Sequence, residues 1–335
     1  MVYSLDGAAV LSINGVPAKR IVEDVINLTT GETDAFRAEF GGSNYFGFYL
    51  EKLYKANGVY HIRYELNKQV KTVTINGLRQ EVLNARLQRY NDSVERVQPA
   101  QDVYYTLQLL DNKTALMNLL EFNELEDFNL FADSAFRVLK EKGIDNLVID
   151  LRENGGGDSD IGDELCQYLA KAPFRQYDKV VGKHSQLLKE RLKAHRVNKP
   201  MNGADSALMN TPDGVFETEV YEDIPLRENP LRFKGHVYLL TSAYTFSSAA
   251  DFAQCFKHYK MGTVVGEETG GLIVSYGDIV PAKLPNTKLG LTVSSKLYYN
   301  IGSKEGDWRG VIPDKVIPSG QALDAALALI RQSSL

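Results

Sequence analysis

The apolar positions of the chain follow two patterns, and the change between them divides the sequence. In the first hundred residues, short β-type runs occur in "AAVLSING", "GVYHIRYEL" and "KTVTING". The first run closes on Asn14-Gly15, a turn signal, and "PAKRIVEDVINL" then indicates a helix with proline in its first turn. We predict two domains, residues 1–100 and 101–335, with the polar stretch "RLQRYNDSVERVQPAQD" as a candidate linker.

After residue 100, strand-length apolar runs alternate with segments of helical period. The predicted strands are "KTALMNLLEF", "NLVIDL", "GHVYLLT" and "GTVVGE", with a later β segment in "KLGLTVSSKLYYN". The predicted helices are "DFNLFADSAFRVLKEKG", "DIGDELCQYLAKA", "SSAADFAQCFKHY" and "GQALDAALALI". In the first helix, one face holds Phe128, Phe131, Ala135 and Val138, and Gly143 marks its end. The pattern predicts an α/β fold with a largely buried sheet.

Charge and composition exclude several classes of function. The formal net charge is −5, so no excess of positive charge is available for a nucleic-acid partner. No apolar window approaches the length of a membrane span, and the start of the sequence has no signal-peptide pattern. Cys166 and Cys255 fall in apolar helical patterns, which favours small buried side chains over a disulfide or a metal site. We expect no cofactor, and nothing in the pattern fixes an oligomeric state.

A basic stretch from Lys179 to Lys199 carries seven Lys and Arg residues and one acid, Glu190. Leucines recur in it at helical spacing. A solvated helix face over the core and a lid that contacts substrate both fit this pattern.

The loop in "VIDLRENGGGDSD" carries three glycines between a buried strand and a helix. Such a loop lets backbone N–H groups and a helix N-terminus face negative charge, either a phosphate or a developing oxyanion. A phosphate site is disfavoured because the glycine register and the G-K-[ST] signature are missing, and because Asp158 and Asp160 would repel an anion. An oxyanion site and a purely structural turn remain open.

The segment "TSAYTFSSAADFAQC" places Ser247 and Ser248 between a strand and a helix. A serine here can cap the helix, but a nucleophilic serine occupies the same kind of turn, and one position can serve both roles. The glycine-rich turn "GEETGG" and the polar loop "SKEGDWRGVIPD" are further candidates. None of the five histidines stands in a motif that indicates catalysis.

Four segments in order, "LVIDLRENGGG", "VYLLTSAYTFSSAADF", "TVVGEETGG" and "EGDWRGVIPD", resemble the catalytic core of the C-terminal processing peptidase family. This family includes the tail-specific proteases and the tricorn protease core. The resemblance covers roughly residues 110–335, and "AAVLSINGVPAK" resembles the end of a PDZ-like segment. It implies a ClpP/crotonase-like core after a partial, β-rich PDZ-like region. It also implies a serine endopeptidase that cleaves a polypeptide substrate through an acyl-enzyme.

The same resemblance implies roles for individual residues. Ser247 matches the nucleophile, and Ser248 would donate its backbone N–H to the oxyanion. Gly156 and Gly157 are the expected sources of a second donor.

The proton acceptor depends on the branch of the family. The turn "GEETGGLIVSYG" has no lysine, which excludes the serine–lysine dyad of tail-specific proteases. The tricorn-like branch uses a histidine upstream of the PDZ-like segment, oriented by a glutamate that Glu305 matches in its "EG…GV.PD" context. We therefore expect that histidine to precede residue 1, and the chain of residues 1–335 to be nearly inert alone.

Two other functions remain in view. One is a non-catalytic protein that holds a peptide or an apolar ligand on the same fold. The other is crotonase-like acyl-CoA chemistry, which would not require "TFSSA" followed by Glu305. By analogy with relatives that carry export signals, we expect the protein to act outside the cytoplasm.

Overall fold

The computed structural model describes residues 8–43, 45–78, 81, 82, 84–86, 88, 89, 103–197 and 200–333. The chain divides into two compact units, Met1–Val103 and Tyr104–Leu335. Most of the stretch predicted as a linker, residues 90–102, lies outside the described residues.

The first unit contains a four-stranded antiparallel sheet in the order β2-β1-β3-β4. Its strands are β1 (Ala9–Ile13), β2 (Val16–Pro17), β3 (Val59–Leu66) and β4 (Gln69–Asn76). Asn14 and Gly15 join β1 to β2 with φ of 49° and 79°, the left-handed conformation of a two-residue hairpin turn. The predicted turn is therefore confirmed.

The sheet is accompanied by the helices α1 (Ala18–Leu28), α2 (Asp34–Gly42) and α3 (Phe46–Tyr54), and the described residues between 81 and 89 are also helical. The first was predicted, with Pro17 at its N-cap rather than inside its first turn. The other two were missed, because their short patterns lack a clear apolar stripe. A small core of Ile13, Ile21, Val25 and Leu50 joins the helices to the sheet.

The second unit holds two sheets and six helices among its described residues. In chain order its strands are β5 (Tyr105–Leu109), β6 (Thr114–Leu119), β7 (Asn146–Asp150), β8 (Tyr177–Lys183), β9 (Phe216–Val220), β10 (His236–Thr241), β11 (Thr263–Gly266), β12 (Val274–Lys283), β13 (Gly290–Asn300) and β14 (Lys315–Val316). Its helices are α4 (Leu125–Lys142), α5 (Ser159–Leu169), α6 (Gln186–His195), α7 (Gly203–Asn210), α8 (Ser248–His258) and α9 (Ala322–Ser333), with a 3₁₀ turn at Ser319–Gln321.

The main sheet runs in the order β14-β11-β10-β7-β6-β5. Strands β6, β7, β10, β11 and β14 are parallel, and β5 pairs antiparallel with β6 at one edge. Every residue of β7 and all but the first of β10 are buried. The continuous apolar runs that predicted these strands thus reflect burial on both faces, and the predicted α/β fold is confirmed.

Helix α4 shows how closely the period predicts the buried face. Phe128 and Ala135 are buried as predicted, but Phe131 and Val138 are only partly buried. The centre of the stripe passes instead through Ala132, Phe136 and Leu139. Gly143 ends the helix in the left-handed conformation, as expected.

The second sheet is antiparallel, in the order β12-β13-β8-β9. The basic stretch is divided between β8, which contains Lys179 and Lys183, and helix α6. The leucines at helical spacing lie in α6, so that part of the prediction is confirmed, whereas the strand was not predicted. No residue of α6 is buried, which agrees with a solvated face.

Cys166 on α5 and Cys255 on α8 are fully buried, and their sulfur atoms lie 3.8 Å apart without a bridge. Burial raises the pKa of the Cys166 thiol well above its usual range. Both side chains serve as small apolar groups between the two helices, as predicted. Among the described helices, none combines the length and apolar character that crossing a bilayer requires.

Helix α5 also carries a partly buried carboxyl group, that of Asp163, which makes stability depend on pH. Burial raises the pKa of Asp163 to about 6, although a hydrogen bond from Gln176 Nε2 at 2.9 Å opposes the shift. Since the folded-state pKa exceeds the unfolded value of 3.8, the stabilisation is complete below about pH 4. It is lost as the pH rises through about 6.

We expect Asp163→Asn to match the parent at pH 4 and to exceed it by up to about 3 kcal/mol above pH 6, since asparagine stays neutral and still accepts from Gln176. Urea unfolding of both proteins between pH 4 and pH 7 measures this difference. A difference that does not change with pH would contradict the prediction.

Candidate active site

The loops singled out by the sequence meet at one edge of the main sheet. Because β6, β7, β10 and β11 are parallel, their carboxyl ends lie side by side, the usual location of a site in an α/β sheet. Directly after these ends come Phe122, the glycine run at 155–157, the serine pair, and the turn at 266–271.

Asn154 ties three of these segments together and is completely buried. Its Nδ2 donates to the Leu119 carbonyl at 2.9 Å, and its Oδ1 accepts from the Gly156 N–H at 2.9 Å. Its carbonyl accepts from the Phe246 N–H at 3.0 Å. Asn154 was not among the predicted site residues. An asparagine directly before a glycine run is a sequence signal that could have identified it, because its side-chain amide can bond to the backbone of the loop.

Ser247 occupies the N-cap position of α8 with φ of 49° and ψ of −134°. Left-handed backbone is strained for a residue with a Cβ, and such strain is concentrated at functional sites. The side chain is exposed and makes no capping hydrogen bond. The Ser247 hydroxyl therefore does not cap the helix, although the sequence allowed that role, and its Oγ is free to react.

Two glycines permit the backbone to pack around this serine. A Cβ on Gly156 would lie 2.7 Å from the Ser247 Cβ and 2.8 Å from the Phe246 carbonyl oxygen. A Cβ on Gly271 would lie 2.7 Å from the Ser247 nitrogen. The glycine run after β7 and the turn after β11 thus both contact the serine turn.

Gly157 adopts φ of 134° and forms a parallel bridge with Phe122. In that bridge Phe122 N–H donates to the Gly156 carbonyl and Asp158 N–H donates to the Phe122 carbonyl. The N–H of Gly157 points the other way and donates to no residue that the structure describes. The N–H of Ser248, in the first turn of α8, likewise has no acceptor among the described residues. The unbonded N–H of Ser248 therefore lies next to Ser247 at the positive end of a helix, and that of Gly157 directly follows Gly156, which contacts the serine turn.

A buried polar network lies one turn further along α8. The carboxylate of Asp251 accepts from Tyr177 Oη and from Asn300 Nδ2, each at 2.8 Å. The Asp251 N–H donates to the Ser247 carbonyl. Burial, followed by the neighbouring carboxylate, raises the pKa of Tyr177 well above its usual range, so the hydroxyl remains a donor. This network fixes the first turn of the helix that presents the serine.

The turn at 266–271 is joined to the polar loop at 303–314. Glu268 accepts from the Gly310 N–H at 3.0 Å, and Thr269 Oγ1 accepts from the Val311 N–H at 2.8 Å. Glu305 lies exposed on this loop and makes no hydrogen bond or ion pair with a described residue. The fold thus brings the loop of Glu305 close to the serine turn without giving that carboxylate a partner.

The histidines of the second unit lie away from the serine. His236 begins β10, at the opposite edge of the sheet, and His258 ends α8, about 15 Å along the helix. His184 Nε2 lies 3.0 Å from Glu217 Oε2, and His195 ends α6. In the first unit, His61 Nδ1 contacts Thr74 Oγ1 at 2.9 Å.

Within the described part of the chain, no cluster of three or more His, Cys, Asp or Glu side chains is placed to hold a metal ion.

Two solved structures share this fold, and a third is similar over most of the chain with a lower TM-score. The structure of mature CPAF in complex with lactacystin is similar with a TM-score of 0.57 and 13% identity, covering 100% of this chain and 78% of that one. Mature CPAF is similar with a TM-score of 0.57 and 11% identity, over 98% of this chain and 76% of that one. The photosystem II D1 C-terminal processing protease gives a TM-score of 0.44 and 15% identity. The alignment covers 93% of this chain, which spans 64% of that protein.

The model of peptidase family S41 matches residues 113–317. The matched region is more than half of the chain and contains every strand end that surrounds Ser247. The family resemblance predicted from the four motifs is thus confirmed, and the chain belongs to peptidase family S41.

Proposed function

We propose that this protein is a serine peptidase in which Ser247 is the nucleophile. The observation that carries the proposal is the strained, exposed serine, whose hydroxyl leaves the helix uncapped, with unbonded N–H groups at Ser248 and in the glycine run that contacts the serine turn. Nucleophilic serines on α/β folds occupy this kind of strand-to-helix turn.

In the proposed reaction, Ser247 Oγ attacks the carbonyl carbon of the scissile peptide, and its proton passes to a base. The carbonyl oxygen gains the negative charge, which the N–H groups of Gly157 and Ser248 would stabilise. Return of the proton to the leaving amine gives the acyl-enzyme, which water then hydrolyses. Gly156 is a less suitable donor than the sequence suggested, because its N–H already donates to Asn154 Oδ1.

A separate part of the proposal concerns the group that accepts the proton of Ser247. A serine hydroxyl is a poor nucleophile at neutral pH without an adjacent base. The positions of the four histidines in the second unit support a base supplied from elsewhere, with Glu305 available on the adjoining loop to orient it. Removing such a base from a serine peptidase costs about 10⁴ to 10⁶ in turnover, so we expect the second unit alone to be a slow catalyst.

The test is covalent labelling with a fluorophosphonate probe, followed by mass spectrometry of the peptide that contains residue 247. We expect slow labelling of Ser247 and none in Ser247→Ala, because only the serine hydroxyl forms the phosphonyl ester. Ser242→Ala is the control, since the Ser242 hydroxyl is committed to the Arg152 carbonyl. No labelling at residue 247 would favour the binding protein that shares this fold.

Added imidazole tests the base separately. Imidazole can accept the Ser247 proton in place of a missing base, so we expect it to increase the labelling rate at Ser247 in proportion to its concentration. The Ser247→Ala variant corrects for direct reaction with the buffer. A fast rate that imidazole does not change would show that the base is already in place.

A further inference from the structure

Trp308 is the single tryptophan of the chain, and its ring is not in the core. It stacks on Tyr276 with ring centroids 5.9 Å apart and an interplanar angle of 14°. The two residues are 52% and 59% exposed. An exposed, ordered aromatic pair presents large apolar faces at a small cost in side-chain entropy, which is typical of binding surfaces.

The pair is connected to the serine turn by a short series of backbone contacts. Gly271 contacts the Ser247 nitrogen, and the next residue, Leu272, forms a bridge with Gly310. The Ile273 N–H then donates to the Arg309 carbonyl at 2.9 Å. Trp308 is adjacent to Arg309, and Tyr276 lies five residues after Gly271, so the pair is three to five residues of extended chain, roughly 10–17 Å, from the serine turn.

The aromatic pair continues into an apolar strip on the second sheet. Strand register places Tyr276 opposite Leu297 and Leu297 opposite Val181, so the three side chains share one face. None of the three is buried. The strip therefore extends from the serine turn across β12, β13 and β8.

The charged groups near the pair are only partly compensated. Arg309 contacts Glu268 at 3.3 Å, and the carboxylate of Asp307 accepts from the backbone N–H of Lys304. Glu305 is exposed on the same loop and has no cationic partner among the described residues. The apolar ring faces therefore suit an apolar or aromatic side chain, and the neighbouring carboxylates would disfavour a substrate carboxylate.

We propose that Trp308 and Tyr276 form a subsite for an apolar or aromatic side chain of the polypeptide substrate, three to five residues from the scissile bond. The assignment rests on the proposed function, since it takes Ser247 as the point of cleavage. It names Trp308 and Tyr276 as residues that determine specificity.

The lone tryptophan makes binding visible without catalysis. In Ser247→Ala, we would titrate Trp308 fluorescence with blocked octapeptides of alanine and glycine that carry one phenylalanine, leucine or aspartate. We expect the phenylalanine and leucine peptides to shift the emission and to bind more tightly than the aspartate peptide. Tyr276→Ala should weaken the phenylalanine peptide about 2- to 10-fold, whereas Phe216→Ala, an exposed aromatic on β9, should leave binding unchanged.

A second readout is the preference among substrates of the active protein. Trp308→Ala should raise KM for apolar peptides with little change in kcat, and Trp308→Phe should restore part of the preference. No emission shift with any peptide, or an unchanged preference in Trp308→Ala, would overturn the subsite. A peptide-dependent shift together with no fluorophosphonate labelling of Ser247, with or without imidazole, would retain the subsite and refute the peptidase.

Discussion

Gly157→Ala is expected to lower the rate of fluorophosphonate labelling at Ser247 by about 10² to 10³, the usual cost of losing one oxyanion donor. A Cβ at residue 157 would lie 2.0 Å from the carbonyl oxygen of Phe122 and 2.8 Å from its carbon. Both are backbone atoms of the bridge that holds the loop, so neither can move aside cheaply. The φ of 134° adds strain for any residue with a side chain. The loop must therefore shift, and with it the N–H that we propose as an oxyanion donor.

Gly155→Ala is the matched control from the same glycine run. A Cβ at residue 155 meets no atom within 4 Å, so the substitution should fold normally and label at the parent rate. Circular dichroism and Trp308 fluorescence would establish that Gly157→Ala is folded. A folded Gly157→Ala protein that labels as fast as Gly155→Ala would contradict the role of this amide.

Leu139→Ala is expected to lower the free energy of unfolding by about 2–5 kcal/mol. Leu139 is 1% exposed and belongs to the main core between α4 and the sheet. Truncation removes its buried methyl groups and leaves a cavity that the surrounding helices and strands can fill only in part. Urea unfolding of the second unit measures the loss.

Leu130→Ala is the control, since it has the same chemistry in the same helix but at a side chain that is 74% exposed. We expect its change to stay within about 0.5 kcal/mol. Equal losses at the two positions would mean that the buried stripe of α4 is assigned incorrectly.

The sequence predicted those parts of the site that local backbone chemistry dictates. Three glycines after a buried strand require a close approach, and a serine pair between strand and helix indicates either a cap or a nucleophile. The structure distinguishes two of these glycines by the hydrogen bonds of their N–H groups. The N–H of Gly156 donates to Asn154 Oδ1, whereas the N–H of Gly157 has no acceptor among the described residues. The difference depends on the side of the Phe122 bridge on which each N–H lies. The sequence cannot predict that side, because the glycines of the run are identical.

Contacts between distant segments were beyond the reach of the sequence. The role of Asn154 depends on three strand ends meeting, and the network of Asp251 joins residues from α8, β8 and β13. In the basic stretch, the leucines indicated the helix α6, but nothing indicated that the first part is a strand paired with β13 and β9. That pairing depends on backbone groups of segments distant in the chain, which local spacing does not describe.

By itself, the sequence determined the α/β class, most strands and helices of the second unit, the burial of both cysteines, and the family. Each follows from apolar period, turn residues or motif order, which are properties of neighbouring positions. Only the tertiary structure decided that Ser247 is strained and uncapped, which amides of the serine turn and the glycine run remain unbonded, and that an exposed aromatic pair adjoins the serine turn. These features arise where parallel strands end together, and the distances between such ends are set by packing rather than by spacing along the chain.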